Sequence, residues 1–293
     1  MSRTLRLGAY AWPVERARTL EDYDAHLDRV VAEGARQADL LLLPEYACME
    51  AASAMTAPGQ SDPTAELHAV CRHSDALLDI MIGAAKRHGV WLMPGTLPRP
   101  EAGFVRNRAP LIAPDGRVAF QDKHVMTRFE TEAWGVRAGD PPGVFDTPWG
   151  RIGTAICYDS EFPMLTRAQV EAGAWLILVP TCTDTLHGFN RVRVSAQARA
   201  LENQCFVAVA PTVGDAPWLQ TLDTNCGCAA IYGPMDRGFP PDGIIAQGAM
   251  NTGSWAFATL DPAALDAVRQ DGAVRNCRDW PAHVPPAGVH SFV

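Results

Sequence analysis

The sequence predicts an α/β protein with its helices outside and its sheet inside. Three observations carry this expectation. Short apolar runs alternate with amphipathic stretches through residues 5–210, strand-rich stretches follow across 228–259, and no linker, low-complexity tract or short-period repeat divides the 293 residues.

Taken in order, Leu5–Ala11 reads as a strand. Glu21–Ala38 reads as a helix because Tyr23, Leu27, Val30 and Val31 recur at helical spacing, with Thr19 placed as its N-cap. Asp39–Leu43 is a continuous apolar run, too short for a helix and suited to a strand buried on both faces. Asp75–His88 is a second helix with Gly89 as its stop, and Val90–Met93 the next strand. Phe104–Ile112 and Arg117–Gln121 flank Asp115-Gly116, a hairpin signal. The second half repeats the pattern. Strands are expected at Arg151–Ile156, Trp175–Val179 and Cys205–Ala210, with helices at Pro163–Ala172 and Arg191–Asn203. Shorter strands follow at Cys228–Tyr232, Ile244–Ala246 and Ser254–Thr259, and a helix at Ala263–Val268. We expect one domain over 1–270 and a Pro-rich tail, 271–293, packing on that domain or on a subunit interface.

Composition excludes several classes. Apolar residues make up 47% and charged residues 20%, an ordinary globular balance, and a chain of this length buries about three quarters of its unfolded surface. Net charge is −8 and basic residues are scattered among acids, so no nucleic-acid partner is expected. No stretch approaches the roughly 20 apolar residues of a membrane helix, and the opening residues carry too short an apolar run for a signal peptide. We expect a soluble, cytoplasmic protein without a membrane partner. Eight cysteines in such a chain argue against a disulfide framework. Cys48, Cys71, Cys205 and Cys277 sit in apolar context. Cys226-Gly-Cys228 lacks the two-residue spacing of structural zinc sites, so no metal and no other cofactor is expected.

Four positions at or near strand ends carry chemistry. Glu45 directly follows the apolar run at 40–43, where open α/β sheets receive ligands. Lys123 ends the hairpin's second strand. Cys157 ends an apolar strand ahead of Pro163, and a helix N-terminus and a nearby lysine both favour a thiolate. Glu132 lies on the irregular segment before Gly139. Singly, each is more often core or surface; together, at the ends of different strands, they are specific.

At these residues the chain resembles the nitrilase superfamily of carbon–nitrogen hydrolases. The resemblance rests on LLLPE (41–45), DKH (122–124), GTAICYDSEFP (153–163) and ARALENQCFV (198–207), with the spacing of Glu132 from Gly139 similar to the family's second glutamate. VPTCTD (179–184), RVR (191–193), PTVG (211–214), IYGP (231–234) and RGFP (237–240) are similar to an amidase-like branch often fused to N-acetyltransferases, a domain for which we expect no room here. The resemblance implies a four-layer α-β-β-α sandwich assembled as a homodimer or higher homo-oligomer. It implies that Cys157 attacks, Glu45 moves the protons, Lys123 and the Tyr158 N–H face the oxyanion, and Glu132 orients Lys123 or the substrate.

This chemistry needs a nucleophile, a base and charge stabilisation, with no metal. We expect hydrolysis of a non-peptide amide bond in a small molecule through a Cys thioester. Acyl transfer to an amine uses the same machinery, and a catalytically silent scaffold is the rival from another class. Tyr158-Asp159 after the nucleophile, where true nitrilases carry Trp-Glu, points to amides over nitriles. His124 offers a papain-like alternative partner for Cys157. Arg199 and Glu202, three apart on a helix, read as a structural pair behind the site. Thr183, Asp184 and His187 are expected to line the pocket. Trp134 and Tyr158 supply apolar walls, and Trp218 either joins them or packs in the core. Glu161 stands where amidase-like relatives carry an arginine. It either disfavours anionic substrates or caps the following helix.

Overall fold

The structure, a computed structural model, describes residues 4–56 and 62–281. In chain order these form β1 (Leu5–Pro13), α1 (Leu20–Ala35), β2 (Leu40–Leu42), a 3-10 turn (Ala47–Ala51), α2 (Ala52–Met55), α3 (Pro63–Arg72) and α4 (Ser74–His88). Then come β3 (Trp91–Met93), β4 (Leu97–Glu101), β5 (Phe104–Ile112), β6 (Val118–Asp122), α5 (Arg128–Glu132), β7 (Val144–Thr147) and β8 (Gly150–Thr154). A 3-10 turn (Cys157–Glu161) leads to α6 (Pro163–Glu171), β9 (Leu176–Thr181), α7 (Leu186–Asn203) and β10 (Phe206–Asp215). The remainder is β11 (Thr224–Asn225), β12 (Ala230–Tyr232), β13 (Ile244–Gln247), β14 (Ser254–Leu260) and α8 (Pro262–Asp271).

The apolar run at 40–43 shows how the layers arise. In a strand successive side chains point to opposite faces. Leu40 and Leu42 enter one core with Leu5, Leu7 and Ala9 of β1 and with Leu176 and Leu178 of β9. Leu41 and Leu43 enter a second core with Tyr23 and Leu27 of α1 and Leu77 and Met81 of α4. Thus β2 is covered by a second sheet on one face and by helices on the other. That second sheet is in turn covered by α6 and α7, whose Val170, Val192, Ala196 and Ala200 close the first core. The result is the expected four-layer α-β-β-α sandwich. The two sheets join where β1 and β10 pair at Trp12–Thr212 and Pro13–Val213.

Strand direction places the chemistry. β1 runs parallel to β2 and to β10, β2 to β3, β9 to β10, and β8 to β9. β6 is antiparallel to β5, itself antiparallel to β3. β2, β6, β8 and β9 therefore share one direction, and their carboxyl ends deliver Glu45, Lys123, Cys157 and Cys182 to the same edge.

Local signals explain most elements. Thr19 closes a capping box with Asp22 at the start of α1, and Gly89 ends α4 at φ +62°. α3 and β4 were not expected from the sequence. α3 starts from Asp62, which accepts from the Ala65 N–H, with Pro63 in its first turn. β4 carries Pro98 and Pro100, which read as breakers, yet it pairs with β5 alone and so keeps its edge position. In the described part of the tail, the Val274 carbonyl accepts from Gln204 Nε2 at 3.1 Å, and Arg167 lies over the Trp280 ring. The rest of the 271–293 expectation falls outside the described residues.

The turn after β2 is locked from several sides. Tyr46 N–H donates to Thr96 Oγ1 at 3.0 Å. The buried Glu50 carboxylate accepts from Trp12 Nε1 and the Glu15 N–H, both at 2.9 Å, and faces His26 Nδ1 at 2.9 Å. Gly95, at φ +92°, passes so close that a Cβ there would lie 1.7 Å from the Pro44 carbonyl oxygen. Gly95→Ala is therefore expected to cost roughly 3 kcal/mol or more in denaturant unfolding, through positive-φ strain plus displacement of the Pro44-Glu45 turn. An unchanged denaturation midpoint sinks this account.

Candidate active site

Lys123 is the hub. It is 1% exposed, and its ammonium donates to Glu45 Oε1 at 2.7 Å and to Glu130 Oε2 at 2.6 Å. A buried ammonium is tolerable only with such partners. Burial works against the charge, but the carboxylates of Glu130 and Glu45 outweigh it and hold the Lys123 pKa well above its ordinary value. Lys123 is set by its backbone: its N–H donates to the Asn107 carbonyl and its carbonyl accepts from Gly139 N–H. Gly139 has no alternative, since a Cβ there would meet Asp122 Cβ at 1.9 Å.

The two carboxylates differ in their surroundings. Glu130 accepts from Lys123, Tyr46 OH at 2.9 Å, Asn107 Nδ2 at 3.0 Å, and both the Thr127 N–H and hydroxyl at 2.9 and 3.0 Å. Burial raises its pKa, but Lys123 and these donors bring the net below the usual carboxylate value. Glu45 accepts from Lys123, Asn107 Nδ2 at 2.9 Å and the Cys182 N–H at 3.1 Å, and the Cys157 thiol is a further partner. Burial first, offset by Lys123 and reinforced by the charge of Glu130, raises its pKa to about 6.

Cys157 follows β8 at φ +48°, in the left-handed region, as Tyr46 after Glu45 does at +58°. Such backbone costs free energy and marks functional turns. Thr181 Oγ1 donates to Cys157 Sγ at 3.2 Å. Burial, then the Glu45 charge, push the thiol pKa well up, so ionisation needs a base that takes the proton. Asp159 ties this turn to the lysine loop, its carboxylate accepting from His124 N–H at 3.2 Å, Val125 N–H at 2.7 Å and Ile156 N–H at 3.3 Å. Behind it Arg199 donates to the Ser160 carbonyl at 3.1 Å and pairs with Glu202.

A cavity of about 340 Å³ opens onto Glu45, Lys123, Glu130 and Cys157. Tyr158, Trp134, Glu161, Thr183 and Asp184 line it. Trp134 stacks edge-on against Tyr46 and donates from Nε1 to the Pro63 carbonyl. Thr183 spends its hydroxyl on the Cys226 carbonyl. Glu161 makes no cap hydrogen bond to α6; Arg191 of α7, which also lines the cavity, donates to it from Nε at 3.3 Å.

Two expectations are corrected. Glu132 is not in the site: its side chain is 60% exposed and paired with Arg128. The site carboxylate from this segment is Glu130. Thr127 and Glu130 form a capping box that opens α5, which aims Glu130 inward, and two residues on, about 200° around the helix, Glu132 faces water. The T-x-x-E signal was legible in TRFE (127–130). His187 is exposed and off the cavity, because Thr185 caps α7 a turn earlier than expected. That start turns Gly188, Arg191 and Val192 inward instead. Trp218 packs against the helix-side core, and His124 makes no hydrogen bond to Cys157. Sequence reasoning also missed Asn107, Tyr46, Thr181 and Cys182. Among the described residues no group of His, Cys, Asp and Glu is arranged to hold a metal ion, and no helix is long and apolar enough to cross a membrane.

Known proteins share this chain's sequence pattern and fold. A carbon-nitrogen hydrolase family model matches residues 6–270. The chain is 32% identical over 249 residues to the probable hydrolase YhcX of Bacillus subtilis, covering 85% of this chain and 48% of that relative. It is 29% identical over 265 residues to the deaminated glutathione amidase of Synechocystis sp. PCC 6803, covering 86% of this chain and 89% of the relative. A solved variant of the amidase from Nesterenkonia sp. AN1, with the acetamide moiety of fluoroacetamide added covalently at its active-site cysteine, aligns with a TM-score of 0.73. That alignment is at 24% identity over 95% of this chain and 94% of the other, and shows a shared fold. The chain spans about half the length of the first curated relatives it matches, 48% of YhcX and 52% of an omega-amidase from Xenopus laevis.

The two glutamates of α5 separate by experiment. Glu130→Gln is expected to lower turnover by about 10²-fold, through loss of one of the two charges that hold Lys123. Glu132→Gln leaves turnover within about twofold, since it removes only an exposed i,i+4 pair. Steady-state kinetics of the two variants check this, and the reverse order sinks it.

Proposed function

The chain belongs to the carbon-nitrogen hydrolase family, and from that premise we propose that it cleaves an amide-type bond of a small molecule through a thioester at Cys157. The observation that carries this reading is one buried ammonium bridging two unlike carboxylates beside a thiol, at the floor of a single cavity.

The steps follow from the atoms present. Cys157 Sγ attacks the carbonyl carbon and its proton passes to Glu45, whose pKa of about 6 leaves it mostly ionised at neutral pH yet able to hold a proton. The oxyanion of the tetrahedral adduct faces the Lys123 ammonium and the Tyr158 N–H. Lys123 stays charged throughout because Glu130 does. Glu45 returns the proton to the leaving nitrogen, the C–N bond breaks, and ammonia or an amine departs. Water then attacks the thioester, losing its proton to Glu45; the acid product leaves and the proton returns to sulfur. Amides suit this sequence, because the leaving nitrogen needs the proton that Glu45 holds.

The cavity wall bears on substrate charge. Beyond the Lys123 ammonium, which Glu45 and Glu130 already hold, Glu161, Asp184 and Asp223 face it with Arg191 as the further cation, and Glu161 engages that one. We therefore assign neutral or amine-bearing amides as substrates and disfavour anionic ones.

Cys157→Ala is expected to abolish amide turnover with the fold intact. In the wild type kcat/KM should fall below about pH 6, as Glu45 takes up a proton, and matched nitriles should react far more slowly than amides. Ammonia release across pH 5–9 checks all three; full activity in Cys157→Ala ends the reading.

Glu161→Gln should lower kcat/KM for an amine-bearing amide about five- to tenfold and leave a neutral one near wild type. If succinamate-like acids are the best substrates and Glu161→Gln changes nothing, the charge assignment fails.

A further inference from the structure

Asn107 sits mid-strand on β5, on the buried face it shares with Val105, Ala109 and Leu111. A side-chain amide in such company is costly unless its hydrogen bonds are made. Asn107 makes only half of them. Its Nδ2 donates to Glu45 Oε1 at 2.9 Å and to Glu130 Oε1 at 3.0 Å, while its Oδ1 is buried without a partner. Its orientation is forced: a flip would set a carbonyl oxygen against two carboxylates. A polar group kept in an apolar strand, with its acceptor left unpaired, has its purpose in the two bonds it does make.

Those two bonds fall on the same oxygen, Oε1, of each carboxylate. On Glu130, Tyr46 OH shares Oε1 while Lys123 and Thr127 occupy Oε2. On Glu45, Lys123 shares Oε1, and Oε2 receives only the Cys182 N–H. Every charged or titratable group facing Glu45 is then accounted for: Lys123 after β6, Glu130 on α5, Tyr46 in its own turn, Cys157 after β8 and Cys182 after β9.

We propose that Asn107 is the positioning residue that divides the labour between the two carboxylates. By holding Oε1 of both, it turns Glu45 so that Oε2 alone is open to the Cys157 proton, and it keeps Glu130 a permanent anion beside Lys123. This rests on the thiol-hydrolase reading. Asn107 touches no reacting atom. It acts through Glu45, and its signature is the pH at which Glu45 gives up its proton. Removing a donor that favours the carboxylate raises that pH.

The test needs no substrate. Carboxamidomethylation of Cys157 by iodoacetamide, read by peptide mass spectrometry of the full chain from pH 5 to 9, follows proton transfer from the thiol to Glu45. The wild-type rate should fall on the acid side with a midpoint near 6. In Asn107→Leu the midpoint should rise by about one pH unit, a roughly fivefold slower reaction at pH 6. Asn107→Asp, of the same shape, should move it in the same direction, and it decides the matter alone if the leucine variant does not fold. A folded variant with the wild-type midpoint overturns the role of Asn107 and leaves the hydrolase reading standing. A wild-type Cys157 that labels no faster than Cys182 overturns both.

Discussion

A single ammonium buried between two carboxylates organises this molecule's working edge. Its isolated burial would be prohibitive, so everything near Lys123 serves to keep it paired. The three groups come from three separate places in the chain, the turn after β2, the end of β6 and the start of α5. The triad therefore also fastens those segments to one another. Removing one member leaves a buried charge uncompensated, which costs more than the pair is worth when whole. This is why the surrounding backbone is so tightly determined, with Gly95 and Gly139 pressed against the residues that precede Glu45 and Lys123.

The unequal treatment of the two carboxylates is the second consequence. Five donors on Glu130 against three on Glu45, plus the thiol, separate acids that begin with the same intrinsic pKa. One is held below the usual carboxylate pKa and the other is raised to about 6. Environment alone makes the distinction, as with paired carboxylates generally.

Glu45, Lys123 and Cys157 were legible in the sequence because each lies just past a strand, Glu45 and Cys157 after apolar runs and Lys123 after the hairpin's second strand, and a strand's end is visible in composition. The continuous apolar run over Asp39–Leu43 likewise announced a strand buried on both faces. Glu130 was not legible by spacing, since a helix of five residues decides which of two nearby glutamates turns inward, and only the capping pair Thr127 and Glu130 marks that helix. His187 failed for a related reason: where α7 begins sets which side of it faces the cavity. Asn107 is a polar residue on the inward face of an apolar alternation, a pattern visible in the sequence whose meaning appears only when Glu45 and Glu130, 62 and 23 residues away along the chain, arrive beside it.

The left-handed backbone at Cys157 sets two demands on this chain against each other. A nonglycine residue held there gives up about 1 kcal/mol of folding free energy, which glycine at the same position would recover. Substitutions chosen for thermal endurance alone would thus favour glycine at 157 and so remove the thiol. Stability gives no reason for a cysteine at this turn, and an engineer who stiffens the chain there gives up the sulfur that lies beside Glu45 and Thr181.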